Sequence, residues 1–449
     1  MATAVAKAVP VDFDEVGAYN DKLEGYIQKV GAAKAPEKPV KLSELEHSKQ
    51  GSVKPLTIID SPADWTAASL KGRESEWIYN FTEQDTEELV SAVEKVKASG
   101  VATEDDVLKL TGDDLDLPTL RPKIHELGKR ISNEWGFQLV RGFPVDRFKT
   151  DRLGLIIAFY GLGLVFGRPQ VSQTDYTEDG QTFGSVLNHI SEGRHSHVRR
   201  NINYPPPPAA SGQENQKKRE VDLARLAFHS DQAATDLVAL LSVTAAKQGG
   251  ESKWVSGIAI HNELLRRGRK DLVEALSDEQ AWRIPTKHDQ ATYKRNADGS
   301  FQGHELMPPF HYHDGYLSIY FQTNNYQEVE DQLTPLQLEA VWTFAKLAED
   351  PEYHITIKLQ PGDIELLHNP TVCHSRAEVS DGEAPEEKRH LLRWWFAQPP
   401  ERNPRPIAKS YAPRSNVGPE GGFRVPEGSK LRLPFWPYGR HDGLGKSTY

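Results

Sequence analysis

The chain has 449 residues, more than a single hydrophobic core usually serves, and is read as one large catalytic-sized domain with extensions or as two domains. Its 54 Lys and Arg against 64 Asp and Glu give a net charge of −10, which excludes a dominant basic face and with it a nucleic-acid partner. The lone cysteine, Cys373, excludes an intramolecular disulfide and fits a reducing, cytoplasmic compartment; no apolar run reaches the ~18–20 residues of a membrane span, and the N-terminus lacks the apolar stretch of a secretory signal.

Residues 1–60 are polar, mixed in charge and broken by Pro36 and Pro39, so they read as an extended arm with room for one short helix. Helical spacing then appears in TEQDTEELVSAVEKVKASG, where Leu89, Val90, Val93 and Val96 form one stripe and Gly100 can cap the end. LPTLRPKIHELGKRISNEWG and DRLGLIIAFYGLGLVFG read as two further helices, separated by the strand-like FQLVRGFPV. The proline-rich NYPPPPAASGQENQKKRE, residues 203–220, can form neither a central strand nor a helix and reads as a long lid loop. ATDLVALLSVTAA follows as a strand, and KQGGESKWVS as a turn into the next. YLSIYFQTNNY, EYHITIKLQ, DIELLHN and RHLLRWWFAQ are short strands, interrupted by the helix TPLQLEAVWTFAKLAED with Thr334 as N-cap before Pro335. The tail either wraps the surface as extended chain or bridges to another subunit through its aromatic LPFWPYGRHDG, which would make the protein a homo-oligomer.

This texture predicts a mainly β protein with helical elaboration, a sandwich or barrel of jelly-roll type. The expected organisation is an N-terminal arm and helical extension over 1–120, a β domain over 121–398 carrying the 203–220 lid, and an extended tail over 399–449.

One short stretch, AFHSDQAATD, places His229 and Asp231 two positions apart. Composition alone yields about two His-x-Asp/Glu patterns, and two occur, this one and His261-Asn-Glu263. On an extended chain, residues two apart share a face, so His229 and Asp231 can present an imidazole and a carboxylate to one ion. LQPGDIELLHNPTVCHSRAEV offers His368 and His374 as a third ligand, and two histidines with one carboxylate is the set used by non-haem Fe(II) oxygenases. In KRHLLRWWFA, strand parity puts Arg389, Leu391 and Arg393 on one face and Leu392 and Trp394 on the other. Two inward arginines need anionic partners, either carboxylates of the protein or those of a cosubstrate and an acidic substrate.

The combination His-x-Asp, GGESKWVS, PGD…HNPTVCHSR and RHLLRWWF resembles the taurine dioxygenase (TauD/TfdA) family of Fe(II)/2-oxoglutarate-dependent oxygenases over roughly residues 130–398. The resemblance implies a double-stranded β-helix (jelly-roll) core flanked by helices. By position, His229, Asp231 and His374 match the iron ligands. Arg389, 15 residues after the distal histidine, matches the arginine that pairs with the far carboxylate of 2-oxoglutarate. Ser252 stands where the family often has a threonine for the same carboxylate, and Arg393 matches an arginine that contacts 2-oxoglutarate or an anionic substrate. The implied reaction consumes 2-oxoglutarate and O2, releases succinate and CO2, and oxidises, most often hydroxylates, a small organic molecule. The first 120 residues have no clear counterpart in the family, and the loop before His229 is longer and more proline-rich than is usual there.

Other histidines compete for these roles. His261-Asn-Glu263 reads as a helix start, with His261 in the cap region and Glu263 in the first turn, and a helix turns such residues apart. His368 reads as core filler more readily than as pocket lining. HYHDG (His311, His313, Asp314) is weighed as a second metal cluster and preferred as a loop at the mouth of the site with His313 as a substrate contact. Asn188, His195 and His197 near the lid are weaker substrate candidates. The alternatives to an oxygenase are a cupin-like metalloenzyme of other chemistry, a hydrolase or isomerase, and a non-catalytic binding protein on the same fold; the arginine pair and the filled ligand positions argue against them.

Overall fold

The computed structural model describes residues 44–176, 182–191, 226–231, 235–278, 282–285, 304–306, 308–322, 333–382, 384, 387–399, 401, 403, 418, 421–425 and 427–435. The arm over 1–43, His195, His197, the 203–220 loop and most of the tail beyond 403 lie outside the described residues.

In chain order, the strands that frame the interior are β1 (Ile78–Asn80), β2 (Phe137–Arg141), β3 (Arg168–Gln170), β4 (Leu187–Ser191), β5 (Leu226–His229), β6 (Leu237–Thr244), β7 (Ser252–Ser256), β8 (Phe310–His313), β9 (Tyr316–Ile319), β10 (His354–Ile357), β11 (Ile364–His368), β12 (Val372–Arg376) and β13 (His390–Ala397). The helices are α1 (Glu83–Ala98), α2 (Leu120–Asn133), α3 (Arg152–Phe166), α4 (Gly257–Arg266), α5 (Lys270–Ser277) and α6 (Pro335–Glu349). The larger sheet has the order β1-β2-β11-β6-β13, and the far edge of β13 pairs first with β4 and then with β3. The smaller sheet, β10-β7-β12-β5, is antiparallel throughout.

Each sheet carries helices on its outer face. Leu237, Ala239 and Leu241 of β6 and Leu392, Trp394 and Phe396 of β13 join residues of α1, α2 and α3 in one buried cluster. Phe228, Val255 and Cys373 of the smaller sheet pack with α4, α5 and α6 in another. The alternate residues face the space between the sheets: Phe137, Leu367, Trp254 and Val372 at one end, Val238, Leu240, Leu391 and Trp395 at the other. The protein is therefore mainly sheet with helices on both flanks, and the parity read in RHLLRWWF holds in the structure.

Local chemistry explains the helix boundaries. Thr82 and Asp85 form a reciprocal capping box at the start of α1, and Thr334 and Gln337 do the same before Pro335 in α6. Two boundaries differ from the sequence reading. Ser256 caps α4 by accepting the Ala259 amide, so the helix opens at Gly257 and His261 and Glu263 sit inside it rather than at its start. The end of the expected arm is folded: His47–Lys49 and Ile58–Asp60 pair in parallel. The side chain of Asn262 accepts the Ile59 amide at 2.9 Å and donates to its carbonyl at 3.0 Å. The polar composition of this segment masked a short apolar run whose Ile58 and Ile59 are buried.

The most demanding contact in the outer layer lies between α3 and β13. Trp394 stacks on Tyr160 at 4.7 Å, and a Cβ on Gly163 would fall 1.1 Å from the Trp394 ring. Gly163→Ala gains helix propensity but forces overpacking, so we expect a net loss of about 1–3 kcal/mol. The check is thermal unfolding: the variant should melt lower than the wild type, and an unchanged or higher Tm would mean that Trp394 is not seated on α3.

Candidate active site

β5 and β12 are neighbours, and their register sets His374 directly across from His229. The two rings lie 4.3 Å apart, centroid to centroid. Asp231 follows β5 by two residues and turns its carboxylate to the same point, with Oδ1 at 3.6 Å from His229 Nε2 and 3.8 Å from His374 Nε2. The three ligand atoms lie within 4.8 Å of one another, the one such group of His, Cys, Asp or Glu among the described residues.

The donor set suits a divalent metal. The Ala227 carbonyl can only accept, so His229 Nδ1 donates to it at 2.9 Å and leaves Nε2 with its lone pair facing the cluster. Burial, reinforced by His229, pushes His374 down to about 3 and keeps its imidazole neutral. Burial alone would raise the Asp231 carboxyl, but the Arg393 guanidinium and the two imidazoles hold it well below the usual carboxylate range. Two imidazoles and one fixed carboxylate, all turned one way, are a donor set that a divalent metal such as Fe(II) can take.

Supporting contacts fix the carboxylate. Trp395 Nε1 donates to Asp231 Oδ2 at 2.7 Å, which leaves Oδ1 for a metal. Asn369 clamps the Asp231 backbone from both sides: its Oδ1 accepts the amide at 2.7 Å, and its Nδ2 donates to the carbonyl at 2.8 Å. Ser230 is held in turn, since its amide donates to the Phe321 carbonyl and its Oγ accepts the Phe321 amide. Arg393 lies over the Trp395 ring at 4.9 Å, places Nη1 3.6 Å from Asp231 Oδ2, and donates from Nη2 to the Ser172 carbonyl at 3.2 Å. Asn188 stands across from Arg393 in the β4–β13 register and donates to Ser172 Oγ at 2.7 Å.

Ser252 and Arg389 meet around a residue the sequence reading did not single out. Glu365 of β11 is 1% exposed and takes the Trp254 indole N–H at 3.3 Å, and the Ser252 hydroxyl favours its ionised form. Arg389 is 7% exposed, and its stem lies 3.4 Å from where a Cβ on Gly250 would stand. Burial and the like charge of Arg376 pull Arg389 down to about 10, against the attraction of Glu365 and Asp381.

The remaining candidates lie elsewhere. His313 sits beside the tip of the β8–β9 hairpin, where Asp314 and Gly315 take positive φ, so HYHDG is a strand and turn rather than a loop. The ring of His313 stacks on His311 at 5.8 Å and meets Asp314 at 3.1 Å. That tip packs on the 51–53 segment, through the Val53 amide and the Gly315 carbonyl, and no described contact joins His313 to His229, Asp231 or His374. His261 is wholly buried and bonds Tyr312 and Asn262, and His368 bonds Thr371 in the core. Trp395 was open to the parity argument that placed Arg393. Asn369, Glu365 and Ser172 carry no spacing signal, because their partners are remote in sequence.

Asn369→Ala removes both hydrogen bonds that fix the Asp231 backbone, and loss of such a support typically lowers metal affinity about 10- to 100-fold. Anaerobic titration with Fe(II) should show that weakening. Wild-type affinity in the variant would mean that Asp231 is oriented by other contacts.

Residues 103–395 match the sequence family described as Taurine catabolism dioxygenase TauD, TfdA family. The FR-33289 synthase of Streptomyces rubellomurinus is 24% identical over 348 residues, 74% of this chain and 88% of that protein. A taurine hydroxylase-like protein of Stachybotrys chartarum is 28% identical over 341 residues, 73% of this chain and 77% of its own length. The structure of an asparagine oxygenase in complex with Fe(II), a hydroxyasparagine and succinate is similar in fold, with a TM-score of 0.50 at 17% identity over 78% of this chain and 100% of that one. With a match that covers well over half of the chain and includes the histidine pair and both arginines, the chain belongs to the TauD/TfdA family of dioxygenases.

Proposed function

We propose that His229, Asp231 and His374 hold Fe(II), and that Arg389 with Ser252 receives the far carboxylate of 2-oxoglutarate. The protein is a 2-oxoglutarate-dependent non-haem iron dioxygenase, an oxidoreductase, and its cofactors are Fe(II), 2-oxoglutarate and O2. One observation carries the assignment of residues: three metal-ready donors converge in an interior that also buries a guanidinium, Arg389, with no hydrogen-bond partner among the described residues. We read the two facing sheets as a double-stranded β-helix over 121–398, with β1 added from outside that interval by parallel pairing to β2. Membership of an oxygenase family disfavours the hydrolase, isomerase and non-catalytic alternatives.

When bound, iron and cosubstrate supply oxidative decarboxylation of 2-oxoglutarate to succinate and CO2, coupled to oxidation of a substrate C–H bond. The chain's own residues set where this occurs. Asp231 and His374 present lone pairs without needing to lose protons at neutral pH, and His229 turns Nε2 to the same point. Trp395 and Arg393 keep the Asp231 carboxylate ionised and in one orientation. The apolar walls, Leu240, Leu391 and Trp395 among them, exclude water from the reacting face.

The substrate in this reading is a small organic molecule, with Arg393 and Asn188 as the handle for an anionic group. Arg393 is the less buried of the two arginines, with 20% of its side chain exposed. The asparagine oxygenase of similar fold holds a hydroxylated amino acid, which accords with a small zwitterionic or anionic substrate. The lone cysteine suits a cytoplasmic setting, and no helix among the described residues is long and apolar enough to cross a membrane.

Anaerobic titration of the Fe(II)-loaded protein with 2-oxoglutarate tests the assignment through the visible metal-to-ligand charge-transfer band. The wild type should develop the band, His229→Ala should lose it, and Arg389→Ala should need at least about tenfold more 2-oxoglutarate, the scale of one lost charge-assisted hydrogen bond. No band with iron properly loaded would overturn the reading.

A further inference from the structure

Between the sheets lies a buried acid that the iron site does not use. Glu365 has apolar strand neighbours in Ile364, Leu366 and Leu367, and β11 is paired on both edges, so a charge there is costly without a purpose. Its carboxylate accepts from Trp254 Nε1 of β7, on the same strand face as Ser252, and it feels the charge of Arg389, whose stem lies against Gly250 just ahead of that strand. Arg376 and Asp381 complete the charged groups around Arg389, and Asp231 adds a repulsion from the iron side. Arg389 thus has its charge balanced by protein carboxylates while its N–H donors stay unspent among the described residues.

We propose that Glu365 is the resident counter-charge of the cosubstrate pocket: it balances Arg389 and engages Ser252 before 2-oxoglutarate arrives, and it thereby weakens 2-oxoglutarate binding. The inference rests on the reading of Arg389 and Ser252 as the 2-oxoglutarate residues. A guanidinium buried without a partner would strongly destabilise the cosubstrate-free protein, so an internal carboxylate stabilises that state. The incoming carboxylate then competes with Glu365 for one guanidinium, and the two negative charges repel each other. Ser252 must also turn from Glu365 to the ligand. Burial pushes Glu365 up to about 7, so at pH 8 the resident group carries its charge.

Glu365→Gln keeps the size and the acceptor oxygen for Trp254 and Ser252 and removes the charge. At pH 8, in anaerobic calorimetry on the Fe(II)-loaded protein, the variant should bind 2-oxoglutarate more tightly by roughly tenfold, the equivalent of one pKa unit of differential interaction. Binding of 2-oxopentanoate, which lacks the far carboxylate, should not change. The cosubstrate-free variant should melt lower than the wild type, yet gain more in Tm on adding 2-oxoglutarate. A merely structural role predicts the lower Tm with unchanged or weaker 2-oxoglutarate binding, and that result overturns the proposal. Should Glu365→Gln not fold, a neutral pair keeps the test: Arg389→Gln/Glu365→Gln should be more stable than Arg389→Gln alone, and additive losses would count against the pairing. If the wild type binds no 2-oxoglutarate, this inference and the functional reading fall together; equal affinity in wild type and variant removes this inference alone.

Discussion

The pairing of His374 with His229 across adjacent strands is the constraint on which the rest depends. A one-residue slip of β12 against β5 would turn His374 to the helix-facing side, where Cys373 now packs, and the donor set would vanish. The outer layers make that slip costly. Cys373, Val255 and Phe228 are locked among α4, α5 and α6, while Trp254 and Val372 are locked on the opposite face by Phe137 and Leu367. Asp231 lies past the end of β5, where no ladder holds it. Asn369 replaces the ladder by offering an amide side chain to both backbone groups of that residue. The register therefore places two of the donors, and one side chain places the third.

The second organising feature is charge in a space that apolar residues otherwise fill. Arg393 answers Asp231 at the metal end, and Glu365 with Asp381 answers Arg389 at the far end. Neither arginine is buried unopposed, as burial of guanidinium groups demands. The two ends differ in how the attraction is made. Arg393 spends one donor on the Ser172 carbonyl and lies against Trp395, so its position is fixed. Arg389 is balanced through space and makes no hydrogen bond among the described residues, which is the condition for receiving an external carboxylate.

How much of this was legible follows from the range of each interaction. His229 and Asp231, two apart on extended chain, and the alternation in RHLLRWWF are local and could be read from spacing; the strand placed Leu392, Trp394 and Phe396 outward as parity requires. The third histidine was ambiguous by spacing alone, since His368 and His374 lie on consecutive strands; the structure buries His368 against Thr371 and turns His374 to the cluster. Asn369 and Glu365 were invisible because their partners stand more than 100 residues away. The start of α4 departs from the spacing of His261 and Glu263 because Ser256 ends a strand and caps a helix without a loop between them. His313 is expected in a loop at the mouth of the site; Asp314 and Gly315, both at positive φ, instead make its stretch the tip of a hairpin on the 51–53 segment.

Anomalous scattering at the iron edge from anaerobic crystals grown with Fe(II) tests the central claim most directly. The account predicts one strong peak enclosed by His229 Nε2, His374 Nε2 and Asp231 Oδ1, between the sheets and beside Trp395. A peak elsewhere, such as at His311 and His313, with none among those three atoms, would contradict it.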